Sequence, residues 1–319
     1  MTTWKKSDLH LHTSFSGWRQ LHLIDAQDCY VPPDEAFATA RRRGMDYVAF
    51  TDHDTIDGAL DFLSRHPEEE PRVIIGEEVE VRLAGTTGWI HLNVYGVDER
   101  THQDLARLRG DALEAIAYLR ERRLPFVLNH PFQSFRSIRA ARRHLDVLLP
   151  LVPAVEVCNS SSPRVHRRVV ESMLDGFPNP AWARIGGSDA HTTRRIAAAY
   201  TLAPGDTKAA FLDSIRRGEC EPGGEALGMG ALVRDIYQVI WNYYAQLYGG
   251  PLPAGMRRRP GNVLGSIALL PAVILGLPVT LSALHVVRQV WIARFGAWAA
   301  EAPETAAGEA VRGEAENPL

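Results

Sequence analysis

The feature of this sequence that most restricts its fold is a series of short apolar runs, each of which ends in histidine or carboxylate residues. Three examples are Asp46–Phe50 before Thr51–Asp54, Pro125–Leu128 before Asn129–Pro131, and Arg184–Ile185 before Gly186–His191. Segments with helical spacing of apolar and charged residues separate the runs, at 35–43, 102–123, 163–174 and 206–217. Because strands alternate with helices, the sequence predicts a parallel α/β barrel, in which the carboxyl ends of the strands meet at one edge.

The N-terminal stretch places two histidines, His10 and His12, in alternation with Leu9 and Leu11. Side chains two residues apart on a strand share a face, so both imidazoles would point the same way. Such a pair can hold a metal ion, but two histidines on a strand face are as often ordinary surface or core residues. The other strand ends decide between these alternatives.

Further histidines and carboxylates stand at predicted strand ends or turns. The eight candidate metal ligands are His10, His12, His53, Glu78, His91, His130, Asp189 and His191. Histidines with purely structural roles would be scattered, so this distribution indicates one shared site. Imidazoles combined with carboxylates suit zinc, manganese or iron better than magnesium or calcium. A ligand set without thiolates leaves the metals open to water, which favours a catalytic site over a structural one.

Composition excludes some classes of function. The formal net charge of −3 gives no global basic field, so nucleic-acid binding is not indicated. The three cysteines, Cys29, Cys158 and Cys220, are widely spaced and form no CxxC pair, as expected in a reducing compartment. The polar start, residues 1–8, lacks the apolar core of a signal peptide, and we therefore expect a cytoplasmic protein.

After Gly223 and Gly224 the pattern changes. Residues 229–248 have the spacing of one helix with four aromatic residues on one face, which we expect to pack against the barrel: Tyr237, Trp241, Tyr244 and Tyr248.

Residues 263–287 form a 25-residue stretch without Asp, Glu, Lys or Arg. A helix of that length would reach about 37 Å, enough to cross a bilayer core. Pro271 and Pro278 would kink it. We favour membrane association over the alternative of a buried helical hairpin, and we expect the tail at 299–319 to be disordered.

Five motifs, in this order, resemble those of the PHP family, the polymerase and histidinol phosphatase domain: Asp8–Thr13, Thr51–Asp54, Gly76–Val79, Asn129–Pro131 and Gly187–His191. The similarity covers residues 5–222. The resemblance implies a distorted seven-stranded β/α (TIM-like) barrel with two or three divalent ions, zinc, manganese or iron. It also implies hydrolysis of phosphomonoesters or phosphodiesters. The predicted organisation is a barrel at 1–222, a helical extension at 223–298 and the tail.

The resemblance also implies roles for the ligands. One metal would be held by His10, His12, Glu78 and Asp189, and Glu78 would bridge to a second metal completed by His91 and His130. His53 and His191 would hold a third metal or face the substrate phosphate. Glu78 is preferred to Glu77 because the family pattern is Gly-x-Glu, and neighbouring strand residues point to opposite faces.

The chain departs from the family pattern directly after the first motif. Members with three metals carry another His, or an Asp in a Ser-Asp-Gly turn, in this region, whereas residues 14–20 supply neither. His22, Asp25 or Asp28 could substitute, and the sequence does not select among them.

The expected chemistry is attack on phosphorus by a hydroxide that bridges two metals about 3.5–4 Å apart. The candidate catalytic residues are His53, His191 and Asp189, and either histidine, when not bound to metal, could protonate the leaving oxygen. Arginines can bind phosphate through two hydrogen bonds, although each could also be a solvated surface charge, and the candidates are Arg19, Arg164, Arg194 and Arg195.

Three carboxylates are expected to orient the metal ligands through hydrogen bonds without binding metal themselves: Asp8, Asp52 and Glu156. For Glu156, a salt bridge within the fold is an equal alternative. The other histidines are expected at the surface: His22, His66, His102, His144, His166 and His285.

The sequence thus predicts a metal-dependent phosphoesterase that acts on a small phosphomonoester or nucleotide. Two alternatives stay open, a phosphodiesterase or exonuclease and an inactive metal-binding scaffold anchored by its C-terminal segment. The oligomeric state is not predictable from the sequence.

Overall fold

The computed structural model describes residues 3–21, 24–83, 88–133, 135, 138–176, 182–226, 228–249 and 260–295. The strands are β1 Trp4–Asp8, β2 Trp18–Leu21, β3 Ile24–Gln27, β4 Tyr47–Phe50, β5 Val73–Arg82, β6 Trp89–Tyr95, β7 Phe126–Leu128, β8 Ala154–Asn159, β9 Ala183–Gly187, β10 Ala199–Pro204 and β11 Glu221–Gly224. The α-helices are α1 Pro33–Arg42, α2 Asp57–Arg65, α3 Glu99–Leu108, α4 Ala112–Glu121, α5 Ile138–Leu148, α6 Arg164–Asp175, α7 Lys208–Arg216, α8 Met229–Tyr248, α9 Pro260–Ile274 and α10 Leu277–Phe295.

Nine of these strands form one sheet in the order β11-β10-β1-β4-β5-β6-β7-β8-β9. Neighbouring strands from β1 to β9 are parallel, except that β6 is antiparallel to both β5 and β7. Beyond the end of β1, Leu11 pairs in parallel with Ala190, just after β9, so the two ends of the seven-strand series from β1 to β9 meet. The predicted α/β barrel is therefore confirmed as a nearly closed sheet, although the sheet contains nine strands rather than seven.

The two extra strands lie beside β1. Strand β10 pairs antiparallel with β1 from Trp4 to Ser7, and β11 pairs antiparallel with β10. The Thr201 hydroxyl of β10 also accepts a hydrogen bond from the Gly186 backbone N–H of β9 at 2.9 Å. Thus β10 lies between β1 and β9 at the amino-terminal side of the barrel, whereas the two strands approach each other directly at the carboxyl side.

The strands are buried on both faces because helices cover the outside of the barrel. Alternate residues of β4 show this arrangement. Tyr47 and Ala49 belong to a cluster that joins several strands, with Leu9 and Ile74 among its members. Val48 and Phe50 pack instead in a cluster that contains side chains of α1 and α2. Continuous apolar runs in the sequence therefore correspond to strands of a covered sheet.

The segment 102–123, predicted as one helix, forms two helices. Helix α3 ends at Leu108, and α4 begins after Asp111, whose carboxylate accepts a hydrogen bond from the Leu113 backbone N–H at 2.8 Å. Aspartate is a favourable N-cap because it satisfies an amide that has no partner within the helix. This cap defines a new helix start.

Helix α8 matches the predicted bounds, but its aromatic residues pack differently from the expectation. The Tyr237 and Tyr244 hydroxyls donate hydrogen bonds to the carbonyls of Val273 and Ser266 in α9, at 3.2 and 2.7 Å. Trp241 is 68% exposed. The contact with the barrel is made by another face, where Tyr243 and Leu247 cluster with Tyr30. The expected packing of this face against the barrel was therefore wrong for Tyr237, which bonds to α9, and for Trp241, which is exposed. Tyr244 bonds to α9 and also packs against the cluster of Tyr30.

Residues 263–287 fall into α9 and the first part of α10. Among the described residues, no single helix is long and apolar enough to cross a membrane; Pro260–Ile274 and Leu277–Arg288 meet those criteria only together, and they are bent by 67°. The break lies at Gly276, which has a φ of +77°, whereas Pro278 is the second residue of α10 and Pro271 lies inside α9. The predicted tail at 299–319 lies outside the described residues.

A substitution in β9 tests the close approach of β9 to the end of β1. A Cβ atom at Gly187 would stand 2.4 Å from the His10 Cβ atom, so Gly187→Ala must separate the two segments. We expect a loss of about 1–3 kcal/mol of stability, typical of overpacking, and a melting temperature several degrees lower. Gly110→Ala is the control, because nothing lies within 4 Å of its added Cβ atom. Equal melting temperatures for the two variants would contradict this account.

Candidate metal centre

The centre of the site is Glu78, a fully buried carboxylate in β5. Its Oε2 atom lies 3.2 Å from nitrogen atoms of His10, His12 and His53. Its Oε1 atom lies 3.0 Å from His91 Nδ1 and 3.1 Å from His130 Nε2. The two oxygens thus face two different groups of imidazoles, as the predicted bridging role of Glu78 requires.

The other predicted ligands complete this cluster. Asp189 Oδ1 lies 3.5 Å from His10 Nε2 and 3.3 Å from His12 Nε2. Four overlapping groups of three residues each place their ligand atoms within 4.8 Å of one another, and together these groups contain all eight predicted ligands. The groups are His12 with His53 and His191, His10 with Glu78 and His130, His10 with His12 and Asp189, and His53 with Glu78 and His91. The structure therefore brings the eight residues into one cluster.

Glu78 and Glu77 point to opposite faces of β5. The Glu77 carboxylate is buried away from the cluster and pairs with His102 Nδ1 at 2.9 Å. Burial raises the pKa of Glu77 to about 7. Glu77 therefore has its own partner, and Glu78 is the carboxylate that the histidines surround.

Asp28 lies at the edge of the cluster. Its Oδ2 atom is 3.4 Å from His53 Nε2 and 3.8 Å from His191 Nε2. Of the three substitutes left open by the sequence, His22 lies outside the described residues, as does the side chain of Asp25. The group formed by His12, His53 and His191 contains no carboxylate of its own. Asp28 places one beside two of these histidines, His53 and His191.

Glu156 positions two of the ligands. Its Oε1 atom lies 2.9 Å from His10 Nδ1, and its Oε2 atom accepts a hydrogen bond from the His130 backbone N–H at 3.0 Å. Asn159 Nδ2 donates to the same Oε2 atom at 2.9 Å. A carboxylate that binds the far nitrogen of a metal-ligating histidine fixes the tautomer and the ring orientation.

The Asp8 and Asp52 carboxylates accept hydrogen bonds from backbone N–H groups next to the predicted ligands, and not from the ligand side chains. Asp8 accepts hydrogen bonds from the Ser188 and Ala197 backbone N–H groups, at 2.8 and 2.7 Å, and so fixes the loop that carries Asp189. Asp52 accepts from the Thr13 backbone N–H and hydroxyl, directly after His12. Burial raises the pKa of both carboxyl groups to about 6.

Two ligands have left-handed backbone conformations. His130 has a φ of 24° and Asp189 a φ of 53°. Residues other than glycine rarely adopt positive φ, and such conformations persist where the surrounding structure enforces them, which is frequent at functional sites. The Asp189 backbone N–H donates to the His10 carbonyl at 2.7 Å, which holds this turn against the first ligand segment.

Without bound metal, the predicted ligands shift one another's pKa values. Burial favours the neutral imidazole of His12, but Asp189 and Glu78 outweigh it and raise its pKa to about 10. Burial also opposes ionisation of Glu78, whereas His10, His53 and His91 hold its pKa well below the usual range. His53 differs, because burial lowers its pKa to about 3. The raised pKa values of His10, His12 and His91 thus favour charged imidazoles beside the ionised carboxylates, whereas His53 is neutral.

The donor set fits divalent metals. Four buried atoms make no hydrogen bond to any described residue although they lie close together: His10 Nε2, His12 Nε2, His53 Nδ1 and Glu78 Oε2. Buried polar atoms without hydrogen bonds are rare in proteins, and a bound ion is a common explanation. Nitrogen and carboxylate donors without a described thiolate match zinc, manganese or iron.

The candidate phosphate-binding arginines do not form a cluster like that of the predicted metal ligands. Arg164 and Arg194 are exposed, and the side chain of Arg19 lies outside the described part of the chain. Arg195 is closer to the site; its Nε atom pairs with Asp235 of α8 at 2.6 Å, and its Nη2 atom makes no hydrogen bond within the described chain.

His166 was expected at the surface, but it is buried. It lies on α6 with Val170, Met173 and Leu174 on the buried face, and its ring packs edge-on against Phe132. Burial lowers its pKa to about 3. The spacing of four and seven residues to Val170 and Met173 was the available signal. His66 and His102, with side chains 37% and 25% exposed, pair with Asp34 and Glu77.

Comparisons with known proteins agree with this geometry. Residues 8–130 match the PHP domain, and residues 183–220 match the PHP-associated segment. An uncharacterized protein of Methanocaldococcus jannaschii is 34% identical over 74 residues, which are 23% of this chain and 43% of that protein. The chain therefore contains a PHP domain.

Two solved structures are also similar. One is a two-domain protein from Bacteroides vulgatus, described as containing a predicted PHP-like metal-dependent phosphoesterase, with 17% identity, a TM-score of 0.49 and coverage of 74% of this chain and 70% of that one. The other is PsfC from Pseudomonas syringae, with 20% identity, a TM-score of 0.49 and coverage of 76% and 99%.

Metal binding should release protons. A ligating imidazole must be neutral, and His12 and His91, with pKa values raised to about 10 and about 9, are protonated at neutral pH without metal. We expect the affinity for Mn²⁺ to rise as the pH increases from about 6 to about 8. Calorimetry in two buffers of different ionisation enthalpy measures the released protons. Equal heats in both buffers would contradict the assigned protonation.

Removal of Asp28 should affect the metal group at the edge of the cluster. We expect Asp28→Ala to bind about one ion fewer per chain, measured by elemental analysis after Mn²⁺ loading and desalting. Asp34→Ala removes a carboxylate that pairs with Arg65 at the surface and serves as the control. Unchanged metal content in Asp28→Ala would show that Asp28 is not a ligand.

Proposed function

We propose that this protein is a metal-dependent phosphoesterase that hydrolyses a phosphate ester, most simply a phosphomonoester. The observation that carries the proposal is the bridging geometry of Glu78, whose two buried oxygens face separate groups of histidines at 3.0–3.2 Å. Divalent ions held there would supply Lewis-acid activation of water and of the phosphoryl oxygens.

The exposed side of the cluster indicates where substrate enters. The His10, His12 and Glu78 side chains are fully buried, whereas those of His53, His91 and His191 are 10%, 15% and 27% exposed. A phosphate group would therefore approach past these three histidines.

His191 is the best candidate for protonating the leaving oxygen. Its Nδ1 donates to the Asp189 carbonyl at 3.0 Å, which fixes the ring and leaves Nε2 facing outward beside Asp28. An imidazole held in this way can donate a proton from Nε2 when it is charged and its Nε2 is not bound to a metal. His53 is more deeply buried and has a pKa lowered to about 3 by burial, which suits a neutral ligand. Asp189 is a predicted metal ligand, and its role in catalysis would be to hold a metal ion beside His12.

Hydrolysis of p-nitrophenyl phosphate tests the proposal. With Mn²⁺ added, we expect activity that falls at least about 100-fold in kcat/KM in His12→Ala and in Asp189→Ala, because each change removes a ligand near Glu78. His66→Ala is the control, since His66 pairs with Asp34 outside the cluster.

A parallel assay with bis-p-nitrophenyl phosphate separates the two classes of ester. Faster turnover of the diester would replace the monoester proposal with a phosphodiesterase. If wild-type protein binds metal but cleaves neither ester above the level of Asp189→Ala, the proposed function is wrong, and the scaffold alternative takes its place.

A further inference from the structure

A large cleft lies between the barrel and the C-terminal helices. Its volume is about 650 Å³, within the range of small-molecule sites. One end is formed by Asp28 and His191, which belong to the metal centre, together with Ser161. The cleft therefore adjoins the candidate metal cluster.

Away from the metal centre, the cleft is walled by apolar side chains. They include Ile236 and Val239 of α8, Val273 of α9 and Leu281 of α10. The polar lining residues come mainly from the barrel, and one of them, Arg195, pairs with Asp235 of α8. An apolar cleft with a charged end suits a ligand that has a hydrocarbon part and an anionic part.

Arg195 adds a hydrogen-bond donor at the charged end. Its side chain is 13% exposed, and its Nη2 atom is buried without a hydrogen-bond partner among the described residues. An unused guanidinium N–H group beside the metal centre is suited to a phosphate oxygen.

The helices that wall the cleft also expose apolar stripes. On α10 the stripe comprises Leu277, Leu281, Leu284, Val287 and Trp291, with exposed fractions between 47% and 62%. On α9, Leu264, Ile267 and Ile274 are 68%, 56% and 73% exposed. Exposed apolar faces of this kind are typical of helices that contact lipid.

We propose that the substrate is a phosphate ester of a long hydrocarbon chain, with its phosphate at the metal centre and its chain in the cleft formed by α8, α9 and α10. This inference rests on the proposed phosphoesterase function and specifies its substrate class. The apolar stripes on α9 and α10 would let the protein take such an ester from a lipid surface.

Binding of alkylphosphonates, which cannot be hydrolysed, tests the proposal independently of turnover. Calorimetry with Mn²⁺-loaded protein would compare chains of about four, six and eight carbons. Each buried methylene should increase affinity about fourfold, so the four methylenes that separate the shortest and longest chains should together increase it about 250-fold. The 1-octanol control should bind more weakly than octylphosphonate, because it lacks the anionic group that reaches the metals.

Two variants of α9 provide a matched comparison. Ala272 lines the cleft, whereas Ala268, one turn away, is exposed and does not. We expect Ala272→Trp to fill the cleft and remove most of the affinity gain between the four-carbon and eight-carbon ligands. Ala268→Trp should retain that gain.

The outcomes separate this inference from the proposed function. A flat alkylphosphonate series, equal binding of octanol, or an unchanged series in a folded Ala272→Trp would overturn the assignment of the cleft. Hydrolysis of p-nitrophenyl phosphate together with a flat series would leave the phosphoesterase proposal standing. Chain-dependent binding without hydrolysis of any ester would overturn the phosphoesterase proposal and the role of such an ester as substrate, and would leave the cleft as a binding site for it.

Discussion

The burial of Glu78 is the constraint on which the rest of the site depends. An isolated carboxylate in a fully buried position would be strongly disfavoured, because the charged form loses its hydration. Here five imidazoles from four different segments approach its two oxygens at 3.0–3.2 Å, and Asn129 Nδ2 donates to Oε1 at 2.8 Å. The cost of burying the charge is thus offset only when all these segments are in place. The barrel supplies that arrangement, since the carboxyl ends of its parallel strands converge on one edge.

Much of this arrangement is predictable from local sequence. The positions of the apolar runs predict β4, β5, β7, β8 and β9. Part of the cluster lies just beyond the ends of these strands, with His53 after β4, His130 after β7 and Asp189 after β9. The alternation of Glu77 and Glu78 along β5 distinguishes the buried partner of His102 from the centre of the site. These predictions succeed because strand periodicity and strand ends depend on a few neighbouring residues.

The features that the sequence does not predict depend on contacts between distant segments. Asp28 follows the β2–β3 hairpin, and only the position of that hairpin brings its carboxylate to His53. The tyrosines of α8 have the right spacing for one face, but the identity of the partner is set by α9, which no local pattern specifies. His166 has the spacing of a residue on the buried face of α6, but histidine is polar, and the sequence therefore led to the prediction of a surface position. Strand β11 has only four residues, and three of them, Pro222, Gly223 and Gly224, are poor strand formers.

The spread of the ligands along the chain has a consequence for biosynthesis. The first ligand is His10 and the last is His191, and the ring of strands closes only when Leu11 pairs with Ala190. During synthesis from the amino terminus, His10 and His12 therefore lack Asp189, one of their partners, until the segment after β9 has left the ribosome. An ion captured before that stage would meet an incomplete set of donors. Selection of the correct metal consequently belongs to the finished barrel, and early binding by His10 and His12 would compete with it.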